Sequence, residues 1–162
     1  MSKWQIPYPQ EVKVAGYMDS DEPIYFQNMT MKQSEERLKE NDILILPIGS
    51  TECHGAHACY GEDTFLVTRM AEQVAKKTGC TVSQPIWFGS HPYHHMGMPG
   101  TIPINENTFC DYIAQVLAGF WNAGYRKIIL LNGHGQEYVI PTAIHQFARK
   151  YQVPAVMMNV NW

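Results

Sequence analysis

LPIGSTECHGAHACYGED, residues Leu46–Asp63, is the stretch on which the reading of this chain turns. It follows the apolar run Ile43-Leu44-Ile45-Leu46, which has the composition of a buried strand. The chain then breaks at Gly49 and gathers Glu52, His54, His57, Glu62 and Asp63 into one short loop. Carboxylates and imidazoles concentrated straight after a core strand are ligands of the kind that hold Zn, Mn or Fe. A second polar loop, Asn132-Gly133-His134-Gly135-Gln136-Glu137, follows another apolar run, Lys127–Leu131. The two loops are predicted to meet around metal.

Working outward, the pattern alternates. Thr30 with Gln33 forms a capping box for a helix over Met31–Asn41, and a strand spans Asp42–Ile48. Thr64–Lys77 is a helix with Leu66, Met70 and Val74 recurring every four residues, stopped by Gly79. A strand is expected over Val82–Phe88, then a His-rich loop, Gly89–Thr101. Asn107 is expected to cap a helix carrying Phe109, Ile113, Val116, Leu117 and Phe120 on one face. A central strand follows over Lys127–Leu131, a helix over Tyr138–Tyr151 with Pro141 in its first turn, and a strand over Ala155–Val160. Strands alternating with helices imply an α/β fold: a three-layer α/β/α arrangement on a mostly parallel sheet. Residues 1–29, rich in Pro and Tyr, read as an irregular arm with room for one short strand. Residues 30–162 read as an α/β metal-binding domain.

In a parallel sheet the carboxyl ends of the strands share one edge, and ligands bind there. Glu52, His54, His57 and Asp63 follow the first strand. His91, His94 and His95 follow the second, and His134 follows the third. Of seven histidines only His145 falls elsewhere, on a helix. This shared edge argues for one composite site. Each residue also has a plainer role. Asp63 stands where a helix N-cap belongs. His91 and His94 serve equally well as surface histidines, and Met96 and Met98 as packing. Cys53, His54, His57 and Cys59 invite a structural zinc, but C-x5-C is not the usual spacing. Strand alternation turns Cys53 away from Glu52 and His54.

Composition sets the class. The 162 residues are 45% hydrophobic and 17% charged, with a net charge of -3, a globular balance with no basic patch for nucleic acid and no cationic run for a membrane surface. No apolar run approaches the roughly 18–20 residues that span a bilayer, and the N-terminus has no signal-peptide core. A cytoplasmic protein is expected, with its four cysteines as thiols.

Three segments together carry a resemblance. Gly49–Asp63, GSTECHGAH…GED, is similar to the creatininase family's G-S-x-E-x-H-G-x-H…D segment. His95–Thr101, HMGMPGT, resembles its H-x-x-x-P-G-T segment, and Asn132–Gly135 matches its N-G-H-G. The resemblance implies a layered α/β fold, two divalent ions (Zn or Mn), hydrolysis of small cyclic or linear amides, and homo-oligomers. It places Glu52 and His134 on one metal, His54 on the other, and Asp63 as the bridge. In the creatininase branch the residue two after the second-loop His is a metal-binding Glu. Here it is Gln136, so the fifth ligand falls to Glu137 or to a residue outside this chain. Family members also run on past the fourth strand into a His-Ala-Gly-Glu segment. The implication is the N-terminal part of such an enzyme, or one chain of a split one with a second chain completing the site.

The mechanism implied is attack of a metal-bound hydroxide on a carbonyl of a small polar cyclic substrate. His95 is the candidate proton donor. An amide C–N bond is the family default, and C–C cleavage of a cyclic keto-inositol uses the same hydroxide. Two readings from other classes stay open: a non-catalytic metal-binding subunit and a zinc-stabilised structural domain.

Overall fold

β1 (Ile43–Ile48) lies inside a four-stranded, all-parallel sheet of order β2-β1-β3-β4, with β2 at Thr81–Val82, β3 at Lys127–Asn132 and β4 at Val156–Asn161. The computed structural model describes residues 23–153 and 156–161. Four helices complete it: α1 (Met31–Glu40), α2 (Glu62–Thr78), α3 (Glu106–Asn122) and α4 (Ile140–Tyr151).

The strand residues alternate between two helical layers. Leu44, Leu46, Ile48, Ile128 and Leu130 meet α3 and α4 through Phe109, Ile113, Leu117, Ile140 and Phe147. Ile45, Val82 and Leu131 meet α2 through Val67, Ala71 and Ala75. This is the three-layer α/β/α arrangement read from the sequence. Fully burying each large aliphatic side chain contributes about 1.5–3 kcal/mol, and a one-residue slip would swap the two faces. The register is therefore fixed, with Ile43 opposite Lys127 and Ile48 opposite Asn132. β1 and β3 end level, so their loops leave the sheet side by side.

The regular part of β2 is far shorter than the expected Val82–Phe88. It stops at Val82, and pairing resumes at a single bridge between Ile86 and Ile48. Pro47 explains how a proline fits an inner strand. Its carbonyl accepts from Ile86 N (2.9 Å), so its nitrogen faces the interruption at Gln84–Pro85. The Gln84 carbonyl there accepts from Ser83 Oγ instead (3.1 Å).

Other boundaries shift by one to three residues. The cap of α3 is Asn105, not Asn107; its Oδ1 accepts from the N–H groups of Asn107 and Thr108. α4 begins at Ile140 because Glu137–Val139 form a turn. The core face of α2 is Val67, Ala71 and Ala75, one step round from Leu66, Met70 and Val74, and Val74 is exposed. The capping box of α1 forms as expected. Most of the N-terminal arm, residues 1–22, lies outside the described residues. Next to it Tyr25 makes one parallel bridge to Val82 and is buried. No helix among the described residues is long and apolar enough to cross a membrane.

Two glycines bring α2 hard against the sheet edge. A Cβ on Gly49 would stand 2.2 Å from Thr64 Oγ1, and one on Gly133 would stand 2.3 Å from Val67 Cγ1 and 2.9 Å from the Asp63 carbonyl. Only glycine leaves room for the first turn of α2 there. Gly133→Ala is expected to lower Tm by roughly 3–10 °C through overpacking against α2. Gly135→Ala, whose Cβ meets nothing within 4 Å, is expected to lower it by less than about 2 °C. Equal shifts in thermal melts would refute the close-approach account.

Candidate metal centre

Each side chain of the polar cluster sits on a pinned piece of backbone. Glu52 N–H donates to the Tyr60 carbonyl (2.9 Å), and Ile102 N–H donates to the Thr51 carbonyl (3.0 Å). Cys53 N–H donates to Thr101 Oγ1 (3.0 Å). The first bond closes the loop after β1 on itself, and the other two sew it to the end of the His-rich loop. At the end of β3, Asn132 folds its amide around the next turn. Its Nδ2 donates to the His134 carbonyl (2.7 Å), and its Oδ1 accepts from His134 N–H (3.3 Å). The asparagine of N-G-H-G thus sets where His134 stands.

The four sequence-predicted ligands converge. Asp63 presents one oxygen to each of two histidines: Oδ1 lies 3.3 Å from His54 Nε2, and Oδ2 lies 3.0 Å from His134 Nδ1. Glu52 Oε1 lies 3.4 Å from His54 Nε2 and 3.3 Å from His134 Nδ1. Asp63 is not the helix cap. It is the second residue of α2, buried, with Gly61 at the N-cap. His95, the expected proton donor, stands at the rim with Nδ1 3.4 Å from Glu52 Oε2. His94 is exposed and meets His95 edge-on, with ring centroids 4.3 Å apart.

Sequence reasoning undervalued His91, which is 4% exposed rather than on the surface. Its Nε2 lies 3.6 Å from Glu52 Oε2 and 2.8 Å from Ser50 Oγ. The signal available was position alone: it follows the second strand, at the edge shared by the other ligands. Burial, with the nearby His134 charge adding, lowers its pKa to about 4, so the ring is neutral at pH 7. His134 behaves oppositely. Burial pushes it down, but the Asp63 carboxylate and the Glu52 charge outweigh that, and its pKa lies above the ordinary value.

The donor set fits a divalent cation. Ligand atoms about 2.0–2.2 Å from a tetrahedral ion stand roughly 3.3–3.6 Å apart, the spacing of the Glu52 and His54 pairs, while Asp63 Oδ2 and His134 Nδ1 are closer at 3.0 Å. Asp63 Oδ2 and His134 Nδ1 are buried without a hydrogen-bond partner, close but not aligned for one. Leaving such groups unsatisfied costs about 1–3 kcal/mol each, which a cation would remove. Two groups of ligand atoms form, Glu52/His54/Asp63 and Glu52/His91/His134, each within 4.8 Å. Neither contains a cysteine. His57 and Cys59 are exposed, so the structural-zinc set does not assemble.

Gln136 also departs from expectation. It is fully buried, and its amide is spent on loop backbone and on Asn132. Oε1 accepts from Ser90 N–H (2.9 Å), while Nε2 donates to the Gly49 carbonyl and to Asn132 Oδ1 (3.1 Å each). It staples three loops together. Glu137 is exposed and belongs to neither ligand group.

Comparison with known proteins gives the family and agrees with the fold. The family described as "Creatininase: Creatinine amidohydrolase" matches residues 27–162. The chain is 66% identical over 145 residues to a 3-dehydro-scyllo-inosose hydrolase of Thermotoga maritima, covering 90% of this chain and 47% of that protein. It is 28% identical over 116 residues to the creatinine amidohydrolase of Pseudomonas putida, covering 68% and 45%. The chain thus spans about half the length of the curated relatives it matches. A manganese form of creatininase shares its fold with a TM-score of 0.79 at 24% identity, over 85% of this chain and 58% of that one. A Zn–Zn form of a creatininase mutant does so with 0.80 at 24%, over 85% and 57%.

Gln136→Glu tests the staple. A carboxylate cannot donate to the Gly49 carbonyl or to Asn132 Oδ1 and would be buried against both. It is expected to cost about 2–4 kcal/mol, read as a lower urea midpoint at pH 7. Unchanged stability with tighter metal binding would show instead that position 136 faces the ion.

Proposed function

The chain belongs to the creatininase family, and we propose that its site is that of a metal-dependent hydrolase opening a small polar cyclic substrate at a carbonyl. The observation that carries this is Asp63 facing His54 with one oxygen and His134 with the other. That is the arrangement of a carboxylate shared between two ions. Zn or Mn is the proposed metal, because the donors are imidazole and carboxylate and creatininase structures of this fold are described as Zn–Zn and Mn forms. Divalent ions bound here supply Lewis acidity, acidifying a water and polarising the carbonyl.

The chain's own residues do the rest. Glu52, His54, Asp63 and His134 hold the ions. The paired loops keep these side chains fixed, so little reorganisation accompanies reaction. His95 is half-buried at the rim, open to substrate, and bears an imidazole, a side chain that can serve as a general acid. It is the proposed donor to the departing atom.

For the bond, a cyclic keto-sugar is favoured over an amide, because the relative that shares 66% identity across 90% of this chain acts on 3-dehydro-scyllo-inosose. Water adds to the ring ketone, the adjacent C–C bond breaks, the released carbon takes a proton, and the ring becomes an open-chain acid.

Protein loaded with Zn or Mn is expected to consume a keto-inositol and to leave creatinine unchanged. His95→Ala is expected to lower kcat by about 10²–10⁴ with metal content retained. Turnover of creatinine alone would transfer the proposal to the amide bond. Metal loss in His95→Ala would make His95 a ligand.

A further inference from the structure

We propose that His91 is itself a metal ligand, grouped with Glu52 and His134. The inference rests on the metal-site reading above and adds a residue to it.

The first support is distance. His91 Nε2 falls within the same 4.8 Å group as a Glu52 oxygen and a His134 nitrogen, and the two rings lie 4.4 Å apart. The second is the tautomer. A ligating histidine characteristically donates its other N–H to a carboxylate or backbone carbonyl, which aims the free lone pair at the ion. His91 Nδ1 lies 3.2 Å from the Gly89 carbonyl. His134 Nε2 lies 3.1 Å from the Ser90 carbonyl. Two successive carbonyls of one loop therefore orient two imidazoles, leaving Nε2 of one and Nδ1 of the other facing Glu52. That loop is fixed in turn, since Gln136 Oε1 accepts from Ser90 N–H and the Gly89 carbonyl accepts from Ile104 N–H.

The third support is elimination. Gln136 spends its whole amide on loop backbone and on Asn132, and Glu137 is exposed. The loop after β3 thus contributes His134 alone.

The plainer reading makes His91 a core histidine satisfied by Ser50 Oγ. The two readings differ on Ser50. If the serine hydroxyl is the intended partner of Nε2, Ser50→Ala destabilises the fold and leaves metal affinity alone. If Nε2 is a ligand, the hydroxyl competes with the ion, and Ser50→Ala holds metal as tightly or more tightly.

The test uses Co2+ as probe and proton NMR of the intact protein. An imidazole N–H tied to a carbonyl exchanges slowly and shifts strongly when its ring binds Co2+. Wild type is expected to show two such resonances, from His91 and His134. His91→Ala is expected to lose one of them and to bind Co2+ about 10–100-fold more weakly. A single slow-exchanging shifted resonance in wild type, or unchanged Co2+ affinity in His91→Ala, overturns the inference. The wild-type count stands even if the variant fails to fold. A wild type that takes up no Co2+ would refute the metal-site reading itself, a separate outcome.

Discussion

The first turn of α2 lies against the carboxyl ends of β1 and β3, where Gly49 and Gly133 have no side chain to keep it away. This contact places Asp63, buried, between His54 and His134, which arrive from two different strands. Asp63 is therefore more than a polar residue near the start of a helix. It is the point where the sheet, its covering helix and two loops meet. Any side chain at Gly133 would move α2, and with it the carboxylate both histidines face.

A second layer holds this arrangement in place. Asn132 fixes the backbone of His134, and Gln136 joins the ends of three loops. Its bond to Ser90 N–H steadies the segment whose carbonyls meet His91 and His134. Buried carboxylates and imidazoles cost desolvation energy that few neutral interactions repay. Metal coordination, as proposed, would offset that cost, and would account for Asp63 Oδ2 and His134 Nδ1 standing without hydrogen bonds inside an otherwise well-bonded region.

Much of this was legible in the sequence, for physical reasons. Strand and helix periods gave the layers, because each element buries one face or stripe. The common edge of a parallel sheet gathers Glu52, His54, Asp63 and His134 from strand order alone. Contacts between distant segments were not legible. Pro85, which has no N–H to give a neighbouring strand, was the local mark of the break in β2; its match to Pro47 across the sheet was not legible. His91 stayed open between site and surface because its burial depends on Ser50 and Gly89, and the role of Gln136 was not legible because two of its three partners, Ser90 and Gly49, come from other loops. The α2 stripe was misplaced by one step because small residues, Ala71 and Ala75, face the sheet at close range where bulky ones would not fit.

The central claim is that Asp63 is shared between two metal ions. The direct measurement is metal content per chain by plasma mass spectrometry, for wild type and for Asp63→Ala. The account predicts two ions per chain in the wild type, both lost in the variant. One ion per chain that survives Asp63→Ala would contradict it.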